Sequence, residues 1–475
     1  MSQPILVWFR QDLRLDDNMA LAAALSAANN TGAPIIPLFI DDTDLPRQPG
    51  EMALWWRNKA LAVLDKNLQA RQSRLTLRSG DAAGELSKLI DETNARAVYW
   101  SRQYDAPSIA RDKQIKEQLR EAGIEAESMN SLLLVEPWEV KSKTGGTNFK
   151  VFSPFWRACQ AQGIDDSAWD APKTLPAPTS WPETEVLPEA LAPAGTTELT
   201  QWEAGEDGAL KALQLFLDEN GHGYAQDRDF PCKPASSRLS PHLRWGEISP
   251  RRIFAKTRQN EMNDKDRNKF LAELGWREFS YQILFHNPQL ETKGLQAKFD
   301  AFPWREGAEA DADFEAWKAG ETGYPIVDAG MRELRQTGFM HNRVRMVAAS
   351  FLIKHLLIDW RRGEQWFWQC LADADPANNT ASWQWVAGCG ADAAPYFRIF
   401  NPIIQGLKFD PKGEYTKSFV PEISGLTGRL VFAPWEASPE QLNAAGIALG
   451  TDYPAPLVKH ETARERALEI FKSLE

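Results

Sequence analysis

Pro4-Ile5-Leu6-Val7-Trp8-Phe9, an apolar run closed by the charged Arg10, decides how the first 130 residues are read. A run this short, rich in β-branched and aromatic residues and bounded by turns, is a strand buried on both faces. Residues 34–40 (PIIPLFI), Leu75–Leu77 and Val98–Trp100 repeat the pattern. Between them, residues 18–28, 52–71, 83–95 and 110–122 place helix formers at helical spacing. Alternating strands and helices predict an α/β fold with a parallel, doubly wound, Rossmann-like sheet. Ligands of such sheets lie outside the carboxyl ends of the strands.

Further along, Pro172, Pro176, Pro178, Pro182, Pro188 and Pro193 interrupt a segment of Ala, Thr and Glu that can form neither a helix nor a central strand. Beyond it strand signals cease and amphipathic helical runs take over, at 208–220, 266–285, 342–360 and 460–474. The predicted organisation is an α/β domain over 1–132, an interdomain linker over 133–201 and a large all-helical domain over 202–475.

Composition narrows the classes. A chain of 475 residues that is 43% hydrophobic, with 19 Trp, can bury enough apolar area to offset its ordering entropy, which excludes general disorder. A net charge of -11 argues against a protein that coats nucleic acid over its whole surface. Residues 225–300, with 14 Lys and Arg against 10 Asp and Glu, are the exception and form a local basic stretch. Cys159, Cys232, Cys370 and Cys389 show no CxxC pair, so neither a zinc site nor a disulfide framework is indicated, and a cytoplasmic setting is expected. The N-terminus is too short in apolar residues for a signal peptide or a membrane span. No phosphate-loop GK[ST] or HExxH is present. The GCGADA match to a dinucleotide loop at 388–393 follows a Trp-rich segment instead of a strand and carries nothing.

Four stretches mix chemistry with helix signals. Ser236-Ser237-Arg238-Leu239-Ser240-Pro241 reads as a Ser-Pro helix start whose amides attract phosphate, with Arg238 as an added donor, although alone it is ordinary capping. Glu273, Trp276 and Arg277, at i, i+3 and i+4, place a carboxylate, an indole and a guanidinium on one helix face. His341-Asn342-Arg343-Val344-Arg345-Met346 opens a helix predicted to end at Asp359-Trp360; Asn342 and Met346 share a face, whereas a buried Arg345 would need a carboxylate. Asp373, Asp375, Asn379, Trp383 and Trp385 combine carboxylates, an amide and large aromatics in a way a solvated loop does not explain.

Together these segments resemble the photolyase/cryptochrome flavoprotein family, closest to its class I-type cyclobutane pyrimidine dimer (deoxyribodipyrimidine) photolyases. VWFRQDLRLDDN (7–18), SRLSP (237–241), WREF (276–279), TGYPIVDAGMR (322–332), HNRVRM, ASWQW (381–385) and DAAPYFRIFNP (392–402) are similar to the family's motifs, in order along almost the whole chain.

The resemblance implies non-covalent FAD in the helical domain, lined by Tyr224, Ser236, Ser237, Arg238, Leu239, Ser240, Phe270, Arg277, Arg345, Asp373, Asp375 and Asn379. Hydroxyls, amides and Arg277 would neutralise the diphosphate, Asp373 and Asp375 would accept from ribose and flavin donors, and Arg345 would pair with Asp373. Asn379 would face flavin N5, where an amide can donate or accept. Trp304, Trp360 and Trp383 match the family's electron relay. Glu273, Trp276, Asn342, Met346 and Trp385 match its dimer pocket, with Arg228, Arg343 and Gln405 toward the DNA strand. The implied activity is light-dependent DNA repair, in which reduced FAD passes an electron to the dimer and no strand is cut. Extrusion of the target nucleotide is a family property for which photolyases are a standard example.

Alternatives are a cryptochrome-type blue-light receptor and (6-4) photoproduct repair; Met346, where that branch carries His, counts against the latter. An antenna, a folate such as methenyltetrahydrofolate or a deazaflavin, would lie near Tyr104 and Asp105, where folate-type members carry a Tyr-Glu pair. The expected partner is UV-damaged DNA containing pyrimidine dimers, met by a monomer without membrane attachment and with access to the nucleoid.

Overall fold

The computed structural model describes residues 3–142, 145–393 and 398–474. The chain forms two compact units: residues 1–192, 200–222 and 237–288 make the first, and residues 193–199, 223–236 and 289–475 the second.

In the first unit, β1 (Ile5–Phe9), β2 (Ile35–Asp42), β3 (Thr76–Gly80), β4 (Ala97–Ser101) and β5 (Glu125–Met129) form one parallel sheet in the order β3-β2-β1-β4-β5. Successive strands are joined by α1 (Met19–Thr31), α2 (Glu51–Gln69), α3 (Ala82–Thr93) and α4 (Ala106–Glu121). Strand β1 pairs with β2 on one side and β4 on the other, and all five of its residues are buried, which is why PILVWF shows no alternation. Strand β5 (EAESM) was not foreseen, because charged residues mask its period; it is the edge strand, where charge discourages further pairing. Helix α4 starts before residue 110, since Asp105 accepts the Ser108 N–H at 2.9 Å and a proline sits in its first turn.

The VWFRQDLRLDDN motif is a set of buried clamps. Asp12 accepts from the Arg10 N–H at 2.7 Å, from Asn18 Nδ2 at 3.1 Å and from the Ser101 hydroxyl. Asn18 caps α1. Arg251 and Arg252 pair with Asp17 and Asp16 at 3.0 and 2.6 Å.

Residues 200–222 and 237–288, which carry Arg251, Arg252 and Glu278, group with the sheet in the first unit. The proline-rich segment is bonded along the first unit. Its backbone bonds to residues of the first unit, Leu175 N–H to Arg71 O at 3.1 Å, Ile35 N–H to Pro176 O at 2.7 Å and Glu185 N–H to Leu77 O at 3.0 Å. Arg74 also donates to Pro182 O at 2.9 Å. Proline-rich chain that offers few donors can still be strapped through its carbonyls.

The second unit is helical, around a core that includes Trp317, Met331, Val347, Phe351, Trp360, Phe367 and Trp383. Asp328, from TGYPIVDAGMR, is a fully buried node taking the Thr322 N–H at 2.7 Å, its hydroxyl at 2.6 Å, the Gly323 N–H at 3.0 Å and the Tyr453 hydroxyl. Burial raises its pKa to about 6 against the lowering effect of those donors. The helix predicted over 342–360 is corrected: it runs as Asn342–Ser350, continues as a π turn over Phe351–His355 and stops. Leu357 takes a φ of 53°, and Asp359 caps a new helix, Trp360–Cys370, by accepting the Arg361 N–H at 3.0 Å. Local capping ends what apolar spacing alone would continue.

His355 Nε2 lies 2.8 Å from His460 Nδ1 at the start of the His460–Ser473 helix, and both rings are buried. Burial, with His460 and Lys354 adding to it, lowers the His355 pKa to about 3. An unfolded chain takes up this proton near 6.5, so stability present above that pH is lost as pH falls towards 3, on the order of 1.4 kcal/mol per pH unit. Thermal melts should show a smaller fall in Tm between pH 7.5 and 5 for His355→Gln than for the parent protein.

Candidate functional site

The first unit carries the Asp264–His286 helix, capped by Asn263, which presents WREF. Its neighbours diverge. Arg277 is buried, with Nη1 donating to Leu132 O at 2.9 Å and to Glu278 Oε1 at 3.0 Å. Glu278 Oε2 accepts the Leu134 and Val135 N–H groups at 2.7 and 3.3 Å. Burial pushes the Glu278 carboxyl up to about 7, with Arg277 opposing it. The three side chains share one face of a continuous helix but differ in partners, and the Arg277 guanidinium is committed first to the chain after β5. Glu273 and Trp276 stay half-buried, Glu273 in an ion pair with Lys269 at 2.9 Å.

Trp276 is braced by α5 (Phe152–Gln162). Its ring stacks on Phe152 at 3.9 Å and 9°, an arrangement worth about 0.5–1.5 kcal/mol beyond its area. Gly275 permits the approach, since a Cβ there would meet the Trp156 ring at 2.6 Å. Phe270 packs against Phe216 at 4.4 Å. In the SSRLSP loop Ser240 is the first helical residue and Leu239 the cap position, so the expected Ser240 cap is corrected. Arg238 holds a φ of 52°, donates to Gln201 at 2.7 Å and lies over Trp202, which gives it partners other than a phosphate. Tyr104 is 1% exposed and donates to Glu136 at 2.9 Å, and Asp105 serves as the α4 cap, so both antenna candidates have structural duties.

The second unit brings together the later motifs. Arg345 forks onto Asp373, Nη1 to Oδ1 at 3.1 Å and Nη2 to Oδ2 at 2.8 Å, while its Nε donates to Met340 O at 2.7 Å. Asp375 caps the Pro376–Ala387 helix, taking the Ala377 and Asn378 N–H groups on Oδ1 at 3.0 and 2.7 Å. Asn379, one turn along, is buried, and its Nδ2 donates to Glu364 O at 3.0 Å and Glu364 Oε1 at 2.8 Å. Both bonds use the nitrogen, so the oxygen is what this amide offers. Glu364 was missed from sequence: it lies 15 residues away on another helix, beyond any local spacing rule.

Trp383 and Trp360, each 2% exposed, share the core against which the half-buried Trp304 packs. Gly363 sets the approach, because a Cβ on it would stand 2.2 Å from the Trp383 ring. Gly363 and Trp360 lie on one face of their helix at i, i+3. Arg305, beside Trp304, bonds to Leu357 O at 2.8 Å and Leu356 O at 3.0 Å, just before Trp360.

Asn342 is exposed and Met346 half-buried on the first turns of their helix. Trp385 is half-buried and donates to Asp392 O at 3.1 Å. Tyr224 is buried beneath Arg228, Arg343 pairs with Asp229 at 2.9 Å, and the buried Gln405 Oε1 has no partner among the described residues. Ala394-Pro395-Tyr396-Phe397, within DAAPYFRIFNP, lies outside the described residues.

A five-stranded parallel sheet in the first unit and a helical second unit define a two-unit architecture. Residues 5–179 match the family model for DNA photolyase, and residues 270–473 that for the FAD binding domain of DNA photolyase. The chain belongs to the DNA photolyase family. A deoxyribodipyrimidine photo-lyase of Agrobacterium fabrum is 47% identical over 478 residues, 99% of this chain and 98% of the relative. A bacterial class III photolyase from Agrobacterium tumefaciens, of known crystal structure, is similar with a TM-score of 0.94 at 47% identity, covering 100% of this chain and 98% of that one. Cryptochrome-1 of Arabidopsis thaliana is 36% identical over 99% of this chain and 70% of the relative. No helix among the described residues is long and apolar enough to cross a membrane.

Gly363→Ala should force the Trp383 ring to move, at a cost of about 1–3 kcal/mol from overpacking, visible as a lowered urea midpoint at unchanged slope.

Proposed function

We propose that this protein is a light-dependent deoxyribodipyrimidine photo-lyase that splits cyclobutane pyrimidine dimers in UV-damaged DNA. The observation that carries this is the 47% identity to a photo-lyase over 99% of the chain. Glu273, Trp276, Asn342, Met346 and Trp385 add a dimer-type residue set. A cryptochrome-type receptor has the weaker support of 36% identity.

The donors suit FAD. Tyr224, Ser236, Ser237, Leu239, Ser240 and Phe270 are assigned to cofactor binding, with Arg238 and Arg277 contributing only as far as their other bonds allow. Arg345 holds Asp373 in one orientation toward the cofactor. Glu364 fixes the Asn379 amide so that its oxygen accepts from a flavin N–H. Bound reduced FAD would supply, on absorbing blue light, one electron to the cyclobutane ring and would take it back once the ring has opened, so that the reversal is redox-neutral. Trp304, Trp360 and Trp383 carry electrons inward from solvent to keep the cofactor reduced.

On the substrate side, Trp276 offers the ring face that Phe152 does not cover, Glu273 and Asn342 bond base edges, Met346 and Trp385 supply apolar walls, and Arg228, Arg343 and Gln405 engage the strand. The protein's contribution is positioning and exclusion of water. A cytoplasmic monomer with access to DNA belongs to the same proposal, as does a folate or deazaflavin antenna.

A defined oligonucleotide carrying one thymine dimer tests it: FAD-loaded, reduced protein should restore the two thymines under blue light and not in the dark. Intact dimers after illumination would overturn the proposal. Trp360→Phe should slow the light-driven reduction of bound oxidised flavin by about 10-fold or more while already reduced enzyme repairs within about 2-fold of the parent; loss of both would contradict the relay.

A further inference from the structure

His341, the first residue of HNRVRM, is buried and has no part in the function proposed above. Its Nδ1 accepts the Arg343 backbone N–H at 3.2 Å, capping the Asn342–Ser350 helix, so this nitrogen carries no proton. Nε2 therefore bears it and hydrogen-bonds the Arg228 backbone. The His341 N–H donates to Glu333 Oε2 at 3.2 Å, and the same oxygen takes the Tyr415 hydroxyl at 2.6 Å, so the ring's own backbone is anchored. Alongside, Arg343 pairs with Asp229 at 2.9 Å and lies over Phe409 at 4.2 Å, and Phe230 packs edge-on against that same ring.

These contacts explain an oddity of the chain path. Residues 200–222 and 237–288 belong to the first unit, yet residues 223–236 between them belong to the second. The excursion carries Tyr224 and Arg228, one assigned to the cofactor and one to DNA.

We infer that His341 is a positioning residue: through its two ring nitrogens it holds the Tyr224–Arg228 turn against the first turn of the Asn342–Ser350 helix, and so sets recognition of the dimer. This rests on the assignment of Arg228, Asn342 and Arg343 to DNA and lesion. Burial lowers the His341 pKa to about 4, with Arg228 and Arg343 adding to it and Asp229 opposing. The ring is thus neutral near pH 7 and keeps one donor and one acceptor.

Two amides separate the nitrogens, since Asn places an acceptor near Nδ1 and Gln a polar group near Nε2. In the full-length, FAD-loaded protein, His341→Asn should keep the helix cap and release the turn. Amide exchange across 223–230 should then quicken about 10-fold, the loss of one buried hydrogen bond. The Kd for a thymine-dimer oligonucleotide should rise about 10-fold, while the rate at saturating substrate stays within about 2-fold. His341→Gln should keep both exchange and affinity within about 3-fold of the parent.

The opposite order, Asn like the parent and Gln impaired, would reduce His341 to a helix cap and overturn the inference, as would equal exchange in all three proteins. Should the variants not fold, nitrogen-15 shifts of the six histidines in the parent decide it: an Nε2–H tautomer for His341 supports the clasp and an Nδ1–H tautomer refutes it. A parent protein that repairs no dimers would sink the proposed function alone, because the exchange measurement needs neither light nor substrate.

Discussion

A buried carboxylate sets the terms for the first unit. Glu278 takes two backbone N–H groups from the chain after β5 and one arm of Arg277, which also bonds Leu132 O. A charge so placed is tolerated only when its lone pairs are met, and the raised pKa near 7 records the cost. Through it the Asp264–His286 helix cannot rotate about its axis. Glu273, one turn before Arg277, and Trp276, next to it, are half-buried, and Phe152 stacks on one face of the Trp276 indole. Two adjacent motif residues anchor the helix that carries two of the residues proposed for the lesion.

The second unit also commits its charged groups to protein partners. Arg345 is spent on Asp373 and Met340 O, Glu364 on Asn379, and Asp375 on its own helix start. Each group proposed to line the flavin is thus held by a protein partner. The arrangement favours rigidity over exposure, as positioning of a cofactor requires.

Much of this was legible in the sequence. PILVWF and its repeats announced the parallel sheet because burial on both faces erases alternation. The edge strand EAESM was hidden because its charges belong to its exposed position. The break at Ser350 escaped because apolar spacing continues through Phe351–His355 while the backbone stops at Leu357. Long-range partners were beyond reach: Glu364 for Asn379, Phe152 for Trp276, Gly363 for Trp383, and the Arg228 backbone for His341. Arg238 and Arg277 show the converse, since guanidinium groups that suit a phosphate by type already have protein acceptors. The tryptophan excess divides likewise into residues with proposed chemistry, Trp276, Trp304, Trp360, Trp383 and Trp385, and packing residues such as Trp8, Trp56 and Trp317, which are 1% exposed or less.

The choice of lesion is proposed from the 47% identity to a deoxyribodipyrimidine photo-lyase together with Met346 and its companions. UV-irradiated DNA contains both cyclobutane dimers and (6-4) photoproducts, and lesion-specific antibodies can follow each as the reduced, FAD-loaded protein acts under blue light. The account predicts loss of cyclobutane dimers with (6-4) photoproducts untouched. Loss of (6-4) photoproducts, or of neither lesion, would contradict it.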